Sequence, residues 1–500
     1  MFAFTTDLER TRHAVSPRYA PPPTPLRAVI VHGGVTLLWL LLFLRAFSVG
    51  GLLAWSTGLA YIAYDTALLL FVFRQTLPLL RPAPPPSAVT NPPSLGVILA
   101  AYNEAATIPA TLAALFAQTE PPNEIVIADD GSNDATATSL AAYGLKPPPL
   151  GQISTRSPIH PTLRWLRLPH AGKAQALNEA LAHLNTELIL TLDADTIPEP
   201  DAIAATRRAF QADPTLVAAT GVLFPDCPAT IEGRIFQCFQ STEYMRNFLS
   251  RYAWATQDGL LLISGAFAAY QRQALLAVGG FDPDCLVEDY ELSHRLLDHA
   301  ATQGYRWRTD VIGTARASTD APATLASFLK QRQRWFGGFL QTQLWYRHMI
   351  GNPKYGRLGT RMLPVKAFDT MQPIYGLTGI ALLIVFATTG HQATLAPATT
   401  VIAAKIALDL LFYLWSLHLY RLWVGPSARI NLAAAIIATA VEPFTFQVLR
   451  HTGATLGWLK FLTSQKRWAG RTRIPPDTSS PTTSALLALG STSQSGTQSN

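Results

Sequence analysis

Long uncharged runs lie towards both ends of the chain, and short apolar runs spaced by polar turns fill its middle. Between Arg27 and Arg45 no residue is charged and most are apolar, which predicts a helix just long enough to span a hydrocarbon core of about 30 Å. A second run, Gly51 to Phe73, carries Asp65 as its single charge. The late start of the first run and the immediate second one argue against a cleaved signal peptide and for a two-helix anchor over 28–73. Met371–Thr389 and Thr399–Tyr420 predict two further spans, the second holding Lys405 and Asp409 one helical turn apart, where they can pair. A fifth run, Ile430–Val448, is interrupted by Glu442-Pro443. Crossing, re-entering and lying in the interface all stay open for it, so 367–450 reads as two spans plus a third or re-entrant segment.

Basic residues orient these spans. Arg10, Arg12, Arg18 and Arg27 precede the first one, which places segment 1–27 in the cytoplasm by the positive-inside rule. Two crossings later the chain is cytoplasmic again, so the domain at 87–352 is expected there. Lys460, Lys466, Arg467, Arg471 and Arg473 mark 451–475 as a basic membrane-proximal segment on the same side. Residues 476–500 are Ser/Thr-rich and almost charge-free and read as a disordered tail, while the proline runs at 21–23 and 82–86 read as stiff linkers.

The middle region has a different rhythm. Leu95–Ala100 is a buried-strand run, followed by a turn at Tyr102-Asn103-Glu104 and apolar positions at helical spacing. EIVIADDGSND ends a second strand in acids, and ELILTLDADT ends a third. Strand, helix, strand units with acids at the strand ends predict an α/β domain with an open, mostly parallel sheet, inserted between transmembrane α-helices, its ligand outside the carboxyl ends of the strands. These turns hold no GxGxxG or P-loop, which disfavours a dehydrogenase or an NTPase.

Composition narrows the class. Hydrophobic residues make up 49% of the 500 and charged residues only 14%, against the quarter usual in soluble domains. That excludes a disordered scaffold, a collagen-like fibre and an ordinary soluble enzyme. Cys227, Cys238 and Cys285 form no even set, which predicts no disulfide framework and a reducing compartment. The net charge of +7 sits mostly beside apolar segments, which points to a lipid surface rather than nucleic acid.

Four groups carry candidate chemistry. Asp193 and Asp195 at one strand end can reach a single divalent cation, and oxygen ligands suit Mg²⁺ or Mn²⁺; a solvated acidic turn is the alternative. Lys173, at the start of an amphipathic helix, suits a diphosphate, or is a surface lysine. Glu288 and Asp289 start another helix, whose dipole keeps carboxylates ionised; they are candidates for a general base or simply favour the helix start. Gln331, Arg334 and Trp335 fall at i, i+3 and i+4, one helical face, which suits a sugar or phosphate edge with a stacking surface; an interfacial amphipathic helix is compatible with the same pattern.

The ordered motifs AYNE, DDGSND, GKAQALNEAL, DAD, SGAF, VED and QRQRW, from about Leu95 to Gly338, resemble the family 2 glycosyltransferases. The resemblance is to the membrane-embedded processive branch that includes the poly-N-acetylglucosamine, hyaluronan and cellulose synthases. It implies a GT-A-like nucleotide-sugar-binding domain, a UDP-sugar donor, a glycan or lipid-linked acceptor, membrane lipid around the helices, and a multi-pass protein of the inner (plasma) membrane. It also implies roles. Tyr102 and Glu104 would border the nucleotide and Asp130 would read the uracil. Lys173 would touch the diphosphate, and Asp193 and Asp195 would serve the metal and ribose side. Asp289, with Glu288 beside it, would be the catalytic base. Ser264 and Gly265 would lie near the acceptor, and Gln331, Arg334 and Trp335 would match a QxxRW signature for the diphosphate and acceptor end. Two departures turn the resemblance from cellulose towards the poly-N-acetylglucosamine branch: SGAFAA lacks the aromatic-cysteine version, and no PilZ-like domain is expected after the membrane helices.

Two other functions compete. Single transfer to a polyprenyl-phosphate or other lipid acceptor needs the same N-terminal motifs. A channel or transporter with a degenerate nucleotide domain would draw on Asp65, Lys405 and Asp409.

Overall fold

The computed structural model describes residues 2–82, 91–425 and 431–463. The expected disordered tail, most of the second proline run, residue 430 and the basic residues from Lys466 onward lie outside them.

Apolar runs in the middle region form the sheet. Strands β1 (Leu95–Ala101), β2 (Glu124–Asp129) and β5 (Leu188–Asp193) are buried almost end to end, as parallel strands covered on both faces must be. The others are β3 (Gln152–Ile153), β4 (Leu163–Arg167), β6 (Thr196–Pro198), β7 (Leu216–Asp226), β8 (Phe267–Gln271) and β9 (Arg308–Asp320). The nine strands run in the order β3-β4-β2-β1-β5-β8-β7-β9-β6. The predicted parallel sheet is the β4-β2-β1-β5 half. Beyond it β8 runs antiparallel to both β5 and β7, so the sheet as a whole is mixed. The register pairs Ala101 with Asp129 and Ala100 with Asp193, so the carboxyl ends of β1, β2 and β5 meet on one edge.

Among the described residues four helices are long and apolar enough to cross a membrane: Leu26–Arg45, Gly51–Leu80, Leu358–Thr388 and Gln392–Val424. The third starts well before the predicted Met371. Its early charges are matched in place: Lys366 Nζ lies 2.9 Å from Asp369 Oδ2, and Tyr64 of the second helix donates to Asp369 Oδ1 at 2.5 Å. Lys405 pairs with Asp409 as its spacing predicts, and it also bonds Asp65 across the bundle at 2.7 Å. The fifth run is bent. Leu432–Phe444 and Phe446–Leu462 meet at 50°, broken at the Glu442-Pro443 pair, and Glu442 forms an ion pair with Arg246. The second arm packs on helix Leu325–Trp345 so closely that a Cβ at Gly457 would lie 2.4 Å from the Gln333 carbonyl oxygen.

The N-terminal segment holds a helix, Phe2–Val15, docked on the α/β domain. Buried Arg12 donates to the carbonyls of Gly279 and Phe281 at 3.0 and 2.9 Å, and Arg18 pairs with Asp282 and Asp284. Two arginines expected only as topology charges therefore also clamp the loop that leads to Asp289. All three cysteines are free thiols.

Candidate active site

The strand ends open into one cavity of about 1910 Å³, which continues between the domain and the long apolar helices. Tyr102, Glu104, Asp130, Lys173, Asp193, Asp195, Ser264, Gly265, Glu288, Asp289, Gln331, Arg334 and Trp335 all line it, and Lys405 and Asp409 do not.

Its sheet wall is braced by its own turns. After β1, Asn103 takes a left-handed φ of 58°, and its amide accepts from Asn133 N at 2.9 Å while its N–H donates to Ser132 at 3.0 Å. Glu104 accepts from the Thr107 hydroxyl at 2.8 Å. After β2, Gly131 has φ 75°, and a Cβ there would sit 2.7 Å from the His170 nitrogen, so only glycine fits the turn. Asp130 is buried, and its carboxylate accepts from Ala171 N at 2.8 Å and Gly172 N at 3.0 Å, holding the loop that presents Lys173. His170 in that loop stacks on Tyr102 with ring centres 4.2 Å apart, making a flat exposed platform beside the cavity. Thr111 holds the Asp193–Asp195 turn by donating to the Ala194 carbonyl at 2.8 Å.

Lys173, Asp193, Glu288 and Asp289 bring their charges together in the cavity. Lys173 Nζ lies 2.5 Å from Asp193 Oδ1, 3.3 Å from the Gly265 carbonyl and 3.7 Å from Glu288 Oε1. Burial alone would lower the Lys173 pKa, but Asp193 and Glu288 outweigh it and raise it, so the ammonium stays charged. Burial raises the pKa of Glu288, and Lys173 offsets part of that rise. Asp289 is held from two sides: Gly265 N donates to Oδ2 at 2.6 Å and Tyr290 N to Oδ1 at 2.8 Å. A Cβ at position 265 would meet Oδ2 at 2.9 Å, so the approach depends on glycine. Ser264 leads into this turn, its carbonyl accepting from Phe267 N at 3.0 Å.

Helix Leu325–Trp345 forms the facing wall, started by a capping box between Thr324 and Ser327. It presents Gln331, Arg334 and Trp335 on one side as their spacing predicts. Arg334 donates to the Leu286 carbonyl at 3.2 Å and Gln341 accepts from Leu286 N at 3.0 Å, so this helix fixes the approach to Asp289. Arg332, between the site residues, is fully buried; it pairs with Glu243 and lies 4.4 Å over the Trp335 ring, which it holds in place.

Sequence reasoning missed three features of the site. The Tyr102–His170 platform joins residues from separate motifs. The Lys366–Asp369 pair looks from sequence like a place where no span can start. Arg251, on helix Ile231–Ala255, also lines the cavity, with Nε and Nη1 shut off from solvent and unbonded among the described residues. No local pattern separates it from exposed Arg234 on the same helix.

The donor set can be tested against a metal ion. Asp193 and Asp195 both line the cavity, and Asp195 Oδ1 accepts from the hydroxyls of Thr196 and Thr319 at 3.3 Å. No group of three or more His, Cys, Asp or Glu that could hold a metal occurs among the described residues. Two carboxylates are an oxygen-only set that fits a hard divalent cation whose shell is completed by phosphate and water.

Comparison with known proteins identifies the family. The chain matches the descriptions Glycosyl transferase family 2 over residues 96–279 and Glycosyl transferase family group 2 over residues 188–441. It is 33% identical over 242 residues to a poly-beta-1,6-N-acetyl-D-glucosamine synthase of Staphylococcus aureus, covering 48% of this chain and 53% of that one. The corresponding synthase of Staphylococcus epidermidis is 30% identical over 246 residues, 49% and 54% of the two chains. The chain thus spans about half the length of the curated relatives it matches. A solved mannosyltransferase, PcManGT from Pyrobaculum calidifontis, in complex with GDP-Man and Mn2+, has a TM-score of 0.54 at 23% identity. It covers 78% of this chain and 99% of its own, a likeness of fold that makes the α/β domain GT-A-like. With the second match running from β5 through the third and fourth long apolar helices to Val441, the chain belongs to the family 2 glycosyltransferases.

Proposed function

We propose that this chain is a membrane-bound inverting glycosyltransferase that transfers a sugar from a UDP-sugar to a growing β-glycan, of the N-acetylglucosamine type. The observation that carries the reading is the Asp289 carboxylate, held 2.6 Å from Gly265 N in a cavity that joins the strand ends to the apolar helices. The names of the staphylococcal relatives support the sugar and the polymer. The basic N-terminal segment supports a cytoplasmic site at the inner membrane, because Arg12 and Arg18 dock it on the α/β domain.

Tyr102, Glu104 and Asp130 border the nucleotide, with the Tyr102–His170 platform available to stack on a base. Lys173 meets the diphosphate. Asp193 and Asp195 would hold Mg²⁺ or Mn²⁺, which when bound neutralises the leaving diphosphate. Asp289 takes the proton of the acceptor hydroxyl as that oxygen attacks the anomeric carbon. The new C–O bond forms on the face opposite the departing phosphate oxygen, which leaves with its electron pair as UDP. One displacement turns an α-linked donor into a β linkage. Gly265 N–H orients the carboxylate, and Glu288 beside Lys173 helps keep the lysine charged. Gln331, Arg334 and Trp335 serve the diphosphate and acceptor end.

The test is UDP release from membranes containing the chain, over a panel of UDP-sugars, with Mg²⁺, Mn²⁺ or EDTA, and the product sized. Metal-dependent conversion of UDP-N-acetylglucosamine into a polymer ladder is expected. A single lipid-linked sugar would replace the polymer reading with transfer to a lipid acceptor. Absence of turnover with every UDP-sugar would remove the donor assignment.

A further inference from the structure

Among the described residues, several charged groups on the helical side of the cavity have an ion-pair partner and Arg251 has none. Arg332 has Glu243 for its Nη2, although its Nε is unbonded, with Arg450 3.8 Å from the same carboxylate, and Lys366 has Asp369. Among the described residues Arg251 has no ion-pair or hydrogen-bond partner for Nε and Nη1, although both atoms are closed to solvent. Its guanidinium lies 4.4 Å over the Phe248 ring, and burial pulls its pKa down to about 10, with Asp289 chief among the groups that resist the fall. A buried donor left without a partner is costly, and folded proteins keep few of them without a reason. Gln331 Oε1, in the same cavity, is likewise buried and unbonded.

The place of Arg251 tells which ligand would satisfy it. Lys173 Nζ lies 3.3 Å from the carbonyl of Gly265, whose N–H holds Asp289, while Arg251 reaches the same cavity from helix Ile231–Ala255. That helix packs on the second long helix, and Lys366 of the third lines the cavity with Arg251. The diphosphate groups of the site, Lys173 with the Asp193–Asp195 turn, therefore lie on one side of the base and Arg251 on the side that faces the apolar helices. An orphan donor and an orphan acceptor in one cavity suit hydroxyls, which accept from a guanidinium and donate to an amide oxygen. A phosphate could answer Arg251 but not Gln331 Oε1.

We infer that Arg251 is an acceptor-binding residue: its guanidinium donates to hydroxyl or ring oxygens of the sugar whose attacking hydroxyl faces Asp289. The inference rests on the proposed function and adds to it the residue that holds the acceptor on the side away from the nucleotide.

Equilibrium binding to the full-length protein in nanodiscs tests it. The probes are UDP and a β-linked N-acetylglucosamine pentasaccharide, titrated into wild type, Arg251→Gln and Arg251→Lys. Pentasaccharide affinity is expected to fall at least ~10-fold in Arg251→Gln, the size of a lost hydrogen bond to a charged group, while UDP affinity is unchanged. Arg251→Lys keeps the charge but loses the planar fork, so an intermediate fall is expected; it carries the test alone if the glutamine variant does not fold. The ligand-free Arg251→Gln protein should melt no lower than wild type, because an unmatched buried charge has been removed; a structural arginine would lower the melting temperature on replacement. Equal pentasaccharide affinity in wild type and variants, with UDP still bound, would overturn the inference and leave the proposed function standing. A fall in UDP affinity as large as that for the pentasaccharide would put Arg251 on the donor side and overturn it too. Wild type that binds neither probe would sink both readings.

Discussion

The two walls of the cavity are built in different ways. On the sheet wall the polar groups hold one another before any ligand arrives: Asp130 on the Ala171–Gly172 turn, Lys173 on Asp193, Asp289 on Gly265 N. On the helical wall Arg332 pairs with Glu243 and Lys366 with Asp369, yet among the described residues Arg251, Gln331 and Arg332 Nε leave buried polar atoms without partners. A wall with its groups already paired suits a ligand of fixed shape, such as a nucleotide diphosphate. A wall with unmatched donors and acceptors suits one that supplies many hydroxyls in turn, as a sugar chain does.

The sharpest way to break this division is Asp289→Asn. Transfer should drop by ~10²–10⁴, the usual share of a general base, with UDP affinity unchanged. Loss of UDP binding in step with transfer would mean that the walls do not have separate tasks.

Next in size is the matched charge of the helical framework. Lys405→Met leaves Asp65 and Asp409 facing each other without their cation. A stability loss is expected, below the ~3–5 kcal/mol of a fully buried pair because Asp65 is partly exposed, read from the unfolding midpoint in detergent. Adding Asp65→Asn and Asp409→Asn should recover much of it, and no recovery would mean that the triad is not what holds these helices together.

His294 sharpens the picture of the helix that carries Asp289. Its Nδ1 lies 2.9 Å from the Tyr290 carbonyl, and burial pushes its pKa down from 6.5 to about 4. The folded state thus prefers the neutral ring. The stability it contributes is complete above 6.5 and is lost as pH falls towards 4, about 3 kcal/mol in all by linkage. The melting temperature should fall across that window, and His294→Gln should flatten the fall. An unchanged slope in the variant would remove His294 as its cause.

The smallest effect is local. Gly265→Ala puts a Cβ where Asp289 Oδ2 now sits, 2.9 Å away, and a displaced base should slow transfer by ~10–10² while UDP still binds.

What could be read before the structure follows the range of the interactions. Motifs at strand ends were legible because β1, β2 and β5 are short apolar runs that deliver Tyr102, Asp130 and Asp193 to one edge by register alone. The face shared by Gln331, Arg334 and Trp335 was legible because helical spacing is local. Antiparallel β8 was not, since nothing in Phe267–Gln271 states which neighbours it will have. The true start of the third long helix was hidden because Lys366 and Asp369 are expensive in lipid until Tyr64 and each other are known as partners. Lys405 was read with Asp409 but not with Asp65, which comes from another helix. Arg12 and Arg18 were read as charge alone, because the carbonyls and carboxylates they bind lie far along the chain at 279–284. Arg251 escaped for a further reason: it is conspicuous by the lack of a partner, and sequence does not record that.

The central claim is a single displacement at the anomeric carbon with Asp289 as the base. The most direct test is the anomeric configuration of the first bond formed from an α-linked UDP-sugar, read by NMR from the coupling of the anomeric proton in the isolated product. A β linkage is the predicted result. An α linkage would require retention, hence a second displacement or a covalent intermediate, and would contradict the mechanism.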